Sequence, residues 1–261
     1  MSTSEDPEIV IIGCGVSGIA AAHRLVEAGY RHVRILEATG RSGGRIKTAA
    51  LGYLKKHHST LFHPPLPAHK LKSIKTLGFG TCDKIFVEFE SPWWDADCDI
   101  IYLVWEDEVL SDVSKSWIRK LVTFTVHKPS EKGSHVLCGW ICGHEAEYME
   151  TLPEEKVRES ITKLVRTFTG KNRQQENKNT RILCSRWFTD PWTYGSYCHP
   201  AIGCTAEDLK NMMEPLPSQE TLSQPLQVLF AGEATHPYFY STVHGAILTG
   251  WREADRLISH Y

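Results

Sequence analysis

Residues 8–18, Glu8-Ile9-Val10-Ile11-Ile12-Gly13-Cys14-Gly15-Val16-Ser17-Gly18, run a short apolar segment straight into three spaced glycines. A continuous apolar run closed by glycine predicts a strand buried on both faces of a parallel sheet. The chain then reads Gly18-Ile19-Ala20-Ala21-Ala22-His23-Arg24-Leu25-Val26-Glu27-Ala28-Gly29, an alanine-rich helix with glycine where a C-cap belongs. Val33-Arg34-Ile35-Leu36-Glu37 predicts a second strand, and the three pieces make a βαβ unit of about 30 residues.

The glycine spacing has a specific use in that context. Gly13 permits a tight turn, Gly15 lets backbone approach a pyrophosphate, and Gly18 allows close helix packing, while the helix N-terminus offers unpaired N–H donors. Glu37 can accept both ribose hydroxyls and would repel a ribose phosphate, which argues against NADP and leaves NAD or FAD.

Outward from this unit, residues 84–90, 99–105 and 134–140 are β-branched and aromatic runs between turn-forming residues, as in an antiparallel sheet. Thr151-Leu152-Pro153-Glu154 predicts a capping box, followed by a helix with Val157, Ile161, Leu164, Val165 and Phe168 on one face and Gly170 at its end. Residues 171–180 contain no apolar side chain and predict a surface loop. A strand over 228–231 and a helix over 244–259, with Ile247, Leu248, Trp251, Ala254, Leu257 and Ile258 at helical spacing, return the chain to the first sheet.

The 261 residues, 41% hydrophobic and 23% charged, describe an ordinary globular chain with room for one large domain or two small ones. Its net charge of -2 supplies no basic field for nucleic acid or an anionic membrane. Eight cysteines are scattered with no C-x-x-C pair and no zinc-ligand spacing, so they read as reduced, mostly buried small hydrophobes, and no metal is expected. No stretch approaches the ~18 apolar residues of a membrane span. The N-terminus lacks a leader-like pattern and the chain ends Ile258-Ser259-His260-Tyr261 rather than in a peroxisomal Ser-Lys-Leu type address, so a reducing, cytoplasmic location is expected.

Two further motifs carry a family resemblance. Thr39-Gly40-Arg41-Ser42-Gly43-Gly44-Arg45 resembles the G-R-x-G-G-R motif that follows the acidic residue in flavin amine oxidases. Leu229-Phe230-Ala231-Gly232-Glu233-Ala234-Thr235-His236 and Tyr240-Ser241-Thr242-Val243-His244-Gly245-Ala246-Ile247-Leu248-Thr249-Gly250 resemble the C-terminal FAD motif of the same family. The resemblance implies FAD, bound at Gly13, Gly15, Gly18 and Glu37 and by Arg41, Gly44 and Arg45 against the phosphates. It also implies Gly232 and Glu233 at the ribityl chain, and Thr242 and Val243 opening the last helix beside the flavin's pyrimidine edge, where a helix N-terminus stabilises negative charge. Leu51-Gly52-Tyr53-Leu54-Lys55 resembles the family's L-G-x-L-K segment, which implies that Lys55 holds a water beside the reactive ring nitrogen. The family's aromatic wall maps onto Tyr197, whereas Trp187, Trp192 and Tyr194 are expected to pack. Lys55 and Tyr197 are thus the catalytic candidates.

The implied fold is α/β: an FAD/NAD(P)-binding Rossmann-like fold of the glutathione-reductase type with a reduced antiparallel-sheet substrate domain. Its divisions are expected at 1–50 for the N-terminal βαβ, 51–200 for the truncated substrate region and 201–261 for the C-terminal strand and helix. The helix Gly250-Trp251-Arg252-Glu253-Ala254-Asp255-Arg256-Leu257 and the stretch Ser134-His135-Val136-Leu137-Cys138-Gly139-Trp140 are most similar to the acetylpolyamine oxidase branch, with spermine oxidase the runner-up. The implied partners are a polyamine and oxygen, with no nucleic acid, no membrane and a monomeric chain.

The resemblance jumps from Arg45-Ile46-Lys47-Thr48 directly to Leu51-Gly52, so a large central block of the family pattern is absent. Exon skipping or an incomplete gene model would explain the junction. An absent layer is expected to leave apolar faces and strand edges uncovered, with marginal stability, aggregation or weak FAD retention. Two further functions stay open: a non-catalytic variant acting only by interaction, and an NAD-linked dehydrogenase suggested by the fingerprint alone.

Overall fold

The computed structural model describes residues 7–44, 51–106, 112–128, 135–169, 179–217 and 226–261. They form two compact units, Met1–Gly80 with Pro191–Tyr261, and Thr81–Asp190.

The first unit opens with the βαβ motif read from the glycines. Strand β1 (Ile9–Ile12) pairs in parallel with β2 (Val33–Leu36), Ile9 opposite Val33 and Ile12 opposite Leu36. Helix α1 (Val16–Glu27) connects them and stops as expected, with Ala28 as C-cap and Gly29 following at φ 97°. Helices α2 (Leu51–Leu61) and α3 (Ala68–Thr76) follow. Strand β3 (Gly78–Gly80) then pairs antiparallel with β9 (Tyr197–His199). Helix α7 (Ala206–Met213) has a capping box in which Thr205 and Asp208 exchange side-chain and backbone bonds, a Thr-x-x-Asp version of the motif. Helix α8 (Val243–Ile258) lies on α1 so closely that a Cβ at Gly250 would stand 2.2 Å from the Ser17 carbonyl oxygen. Ala21, Leu25, Ala254 and Leu257 are buried in this contact, and the half-buried Ile9, Ile11 and Val33 pack against it.

The expected strand over 228–231 does not form. Val228 makes one isolated antiparallel bridge, to Leu216, and no ladder joins this segment to β1 and β2. The backbone there finds side-chain partners instead: the Arg252 guanidinium donates to the carbonyls of Phe230 and Thr235, each at 2.9 Å, and Thr249 Oγ1 accepts from the Gly232 N–H at 3.0 Å. Within 228–231 the Phe230 carbonyl is taken up from α8, while the N–H and carbonyl of Val228 both pair with Leu216.

The second unit is a five-stranded antiparallel sheet in the order β5-β6-β7-β4-β8. Its strands are β4 (Cys82–Phe89), β5 (Ile100–Tyr102), β6 (Thr123–His127), β7 (His135–Cys142) and β8 (Asn179–Cys184). Three of these fall on the expected runs. The sequence reading passed over β6, and β8 begins inside the polar stretch read as a loop, the remainder of which lies outside the described residues. Strand β4 alternates between buried and half-buried side chains, and Ile85, Val87 and Phe89 pack under Met149 of α5 (His144–Thr151) and Val157, Ile161 and Leu164 of α6 (Glu154–Thr169). The short helix α4 (Val113–Ser116) completes the unit.

Thr151 ends α5 rather than capping α6, and its hydroxyl donates back to the Tyr148 carbonyl at 2.7 Å, so the predicted capping box is absent. Cys82 and Cys142 are joined in a disulfide, not reduced. They are 60 residues apart in sequence and meet only because β4 and β7 pair in the register that sets one opposite the other. Of the remaining cysteines only Cys138 and Cys198 are fully buried.

Uncovered apolar surface is present on the small parallel sheet, where Val10, Leu36 and Ile12 are 53%, 51% and 87% exposed. No helix among the described residues is long and apolar enough to cross a membrane.

Candidate functional site

All the described candidate residues lie in the first unit. At its N-terminal end Gly13 has φ 101° and donates its N–H to the Leu36 carbonyl at 2.7 Å, closing the turn against β2. Gly15 is the N-cap of α1, with no side-chain cap and no acidic residue in the first turn, so the helix end keeps donors for an anion. A Cβ at Gly18 would stand 2.2 Å from the Gly13 carbonyl oxygen. The turn is thereby held tight against the start of α1, and these residues fit a dinucleotide pyrophosphate.

Glu37 follows β2 and its carboxylate folds back over this turn. One oxygen accepts the Cys14 N–H at 2.7 Å, and the other accepts the Thr39 N–H and hydroxyl at 2.8 and 2.7 Å. Burial works to raise its pKa, but the hydrogen bonds from Thr39 and Cys14, with Arg41 nearby, outweigh it and hold the carboxyl below its ordinary value. A carboxylate has about four lone-pair sites, so this one retains capacity for a ribose hydroxyl. Arg41 is exposed and reaches along its own loop to the Gly44 carbonyl at 3.3 Å, while Gly43 and Gly44 take φ 102° and 63°. Arg45 lies outside the described residues.

The C-terminal motif folds into a second cluster. Gly232, at φ 124°, turns the chain into a 3-10 turn over Glu233–Thr235. The Glu233 side chain is buried, and its Oε2 accepts the Ser241 N–H at 2.6 Å and the Cys198 thiol at 2.8 Å. Thr242 is the N-cap of α8, its hydroxyl oxygen accepting the Gly245 N–H at 3.1 Å. Val243, the first residue of that helix, is 52% exposed, and the first turn carries no acidic residue. A Cβ at Gly245 would lie 1.9 Å from the Phe239 carbonyl oxygen, so the glycine permits the tight approach of the preceding loop.

Tyr197 is brought beside this cluster as the first residue of β9, and it is 37% exposed. Lys55 sits on α2, and its ammonium donates to the carbonyls of Ile74 and Lys75 at 2.7 and 3.1 Å, closing the C-terminal end of α3. Burial pushes its pKa down against a smaller opposing influence from Cys204. Two of its three donors are thus engaged, leaving one for a water. Trp192, which is exposed, and Tyr194 stack on Tyr53 of α2 at 5.9 and 6.4 Å. A small cavity beside Glu233 is lined by Leu51, Leu54, Met212, Phe230 and Gly232.

The match to the family model described as flavin containing amine oxidoreductase spans residues 46–258, and a second, to the NAD(P)-binding Rossmann-like domain, spans residues 11–74. The chain belongs to the flavin-containing amine oxidoreductases. Among members of this family, it is 49% identical over 219 residues to the human peroxisomal N(1)-acetyl-spermine/spermidine oxidase, covering 82% of this chain and 42% of that protein. It is 34% identical over 246 residues to probable polyamine oxidase 5 of Arabidopsis thaliana, covering 83% of this chain and 45% of the relative. Among solved structures, putrescine oxidase bound to putrescine aligns with a TM-score of 0.57 at 16% identity, over 81% of this chain and 42% of the other, a likeness of fold. The chain spans less than half the length of each of these proteins.

Sequence reasoning missed Cys198, Ser241, Thr249 and Arg252. Ser241 and Thr249 lie within or beside the quoted motif, so their neighbours were a signal. Cys198 stands beside Tyr197, and Arg252 lies within the quoted stretch 250–257, but the partner of Cys198, Glu233, lies 35 residues away and left no local pattern.

Proposed function

We propose that this chain is the FAD-binding core, with part of the substrate domain, of a polyamine oxidase acting on N-acetylated polyamines. The observation that carries the reading is the 49% identity to an acetylpolyamine oxidase over 219 residues, supported by the tight glycine turn that opens α1. When bound, FAD supplies a two-electron acceptor for hydride from the carbon beside a secondary amine; water then hydrolyses the imine to an aldehyde and a shorter amine, and oxygen is reduced to hydrogen peroxide.

In this reading Gly13, Gly15 and Gly18 hold the pyrophosphate, Glu37 the ribose, and Arg41, Gly44 and Arg45 the phosphate side. Gly232 and Glu233 meet the ribityl chain, and Thr242 and Val243 present the N-terminus of α8 to the developing negative charge. Lys55 positions a water through its third donor, and Tyr197 offers a ring face to the amine. A spermine oxidase-like preference is the alternative within the same chemistry. The reading includes a monomer in the cytoplasm, although the human relative's name is peroxisomal.

A second reading is favoured by one observation, the chain's 42% span of that relative: a catalytically silent variant that acts only by interaction. The flavin spectrum of the purified protein, followed by anaerobic addition of an N-acetylated polyamine, separates the two. Bleaching of bound flavin is the expected outcome; flavin that stays oxidised, or protein that takes up none, would overturn the enzyme reading and leave the silent variant.

A further inference from the structure

Strand β9 meets the loop between Gly232 and Thr242 at one buried point of the first unit. Cys198 of β9 is 2% exposed and Glu233 is 5% exposed. The thiol donates to Glu233 Oε2 at 2.8 Å, and the same oxygen accepts the Ser241 N–H at 2.6 Å. Ser241 closes the cycle by donating its hydroxyl to the Cys198 carbonyl. Its backbone is held at φ 60°, a left-handed conformation that a serine seldom adopts without surrounding contacts to hold it there.

Each member of this cycle is the immediate chain neighbour of a residue assigned to the cofactor or the amine. Cys198 follows Tyr197, Glu233 follows Gly232, and Ser241 precedes Thr242. A bond between any two members therefore fixes the relative positions of two site residues that no common helix or strand holds together. We propose that Cys198 is a positioning residue, whose thiol orients the Glu233 carboxylate and thereby sets Tyr197, Gly232 and Thr242 in register for the flavin.

The chemistry of the thiol suits that role. Burial, and then the adjacent Glu233 carboxylate, push its pKa well up, so the proton stays on sulfur and the group acts as a donor. A protonated buried thiol is also a poor nucleophile, so it can lie beside a site proposed to release hydrogen peroxide without being oxidised.

The inference rests on the FAD reading given above, and its test has one arm that needs no flavin. FAD affinity is measured by fluorescence quenching for the parent, Cys198→Ala and Cys198→Ser, with the urea midpoint of each flavin-free protein as a folding control. Loss of a donor to a carboxylate is expected to weaken FAD binding about tenfold in Cys198→Ala, whereas the serine hydroxyl keeps binding within about threefold of the parent. Equal affinity in parent and Cys198→Ala, or equal weakening in both variants, would overturn the positioning role. In the second arm, the infrared S–H stretch of Cys198, taken by difference against Cys198→Ser, is expected at a hydrogen-bonded frequency that relaxes in Glu233→Gln. An S–H band unchanged by Glu233→Gln overturns the proposal even if the parent takes up no FAD, an outcome that by itself would sink only the FAD reading.

Discussion

Two buried ionisable side chains, one in each unit, make opposite demands on pH. Lys70 is fully buried on α3, where its ammonium donates to the carbonyls of Asn211 and Glu214, each at 2.7 Å, and sits 4.0 Å from the centre of the Phe230 ring. Burial lowers its pKa from 10.5 to about 8 in spite of nearby Glu214 and Glu253. Below that value the lysine is charged in the folded and unfolded states alike, and the burial penalty is fully felt. Between about 8 and 10.5 the folded state releases the proton first, so stability rises with pH by roughly 3 kcal/mol from this group. Urea midpoints at pH 7.5 and 10 are expected to show the parent gaining on Lys70→Met. Asp83 on β4 runs the other way. Burial, reinforced by Glu150, pushes its pKa from 3.8 up to about 8, although Ser185 donates to it at 2.8 Å. The folded state therefore holds a proton that the unfolded state has lost, and stability falls as pH rises from about 4 to 8. Asp83→Asn is expected to flatten that fall in denaturation curves at pH 5 and 8; an unchanged slope would show that the carboxyl is ionised throughout.

At the scale of elements, the contact between α1 and α8 decides whether the two motif-bearing ends of the chain meet. Gly250 is buried there, and any Cβ at this position meets the backbone of Ser17 at 2.2 Å, which no side-chain rotation relieves. Gly250→Ala should destabilise the protein by about 1–3 kcal/mol, the usual penalty of overpacking. Gly40→Ala is the control, since nothing lies within 4 Å of a Cβ built there. Equal urea midpoints for the two variants would mean that the helices part without loss. In the segment 228–231, read as a strand, α8 takes up one carbonyl, that of Phe230 through Arg252, and Leu216 pairs with both polar groups of Val228.

At the scale of the whole molecule, a parallel sheet of two strands is a small remnant, because such sheets are ordinarily buried on both faces. With Ile12 at 87% exposure and Val10 and Leu36 beside it, the open face of β1 and β2 is an aggregation hazard. Ile12→Lys is expected to raise the concentration at which light scattering reports association, while leaving the unfolding free energy from urea curves within about 0.5 kcal/mol of the parent. Scattering that does not change would place the association elsewhere.

What the sequence determined by itself was local. A glycine needed at a tight turn, an apolar run before it and an acid after the second strand can be read at Gly13, Gly18 and Glu37 because their partners lie within one βαβ unit. The strands β4 and β7 were legible for the same reason, from side-chain type along a short run. Tertiary structure alone decided the rest. It paired Cys82 with Cys142 through strand register, drew Thr151 into the end of α5 instead of the start of α6, and engaged Lys55 with the carbonyls of α3. It also brought Cys198 to Glu233. Each of these is set by a partner far along the chain, and the choice among distant partners depends on how whole helices and strands pack, which no local pattern records.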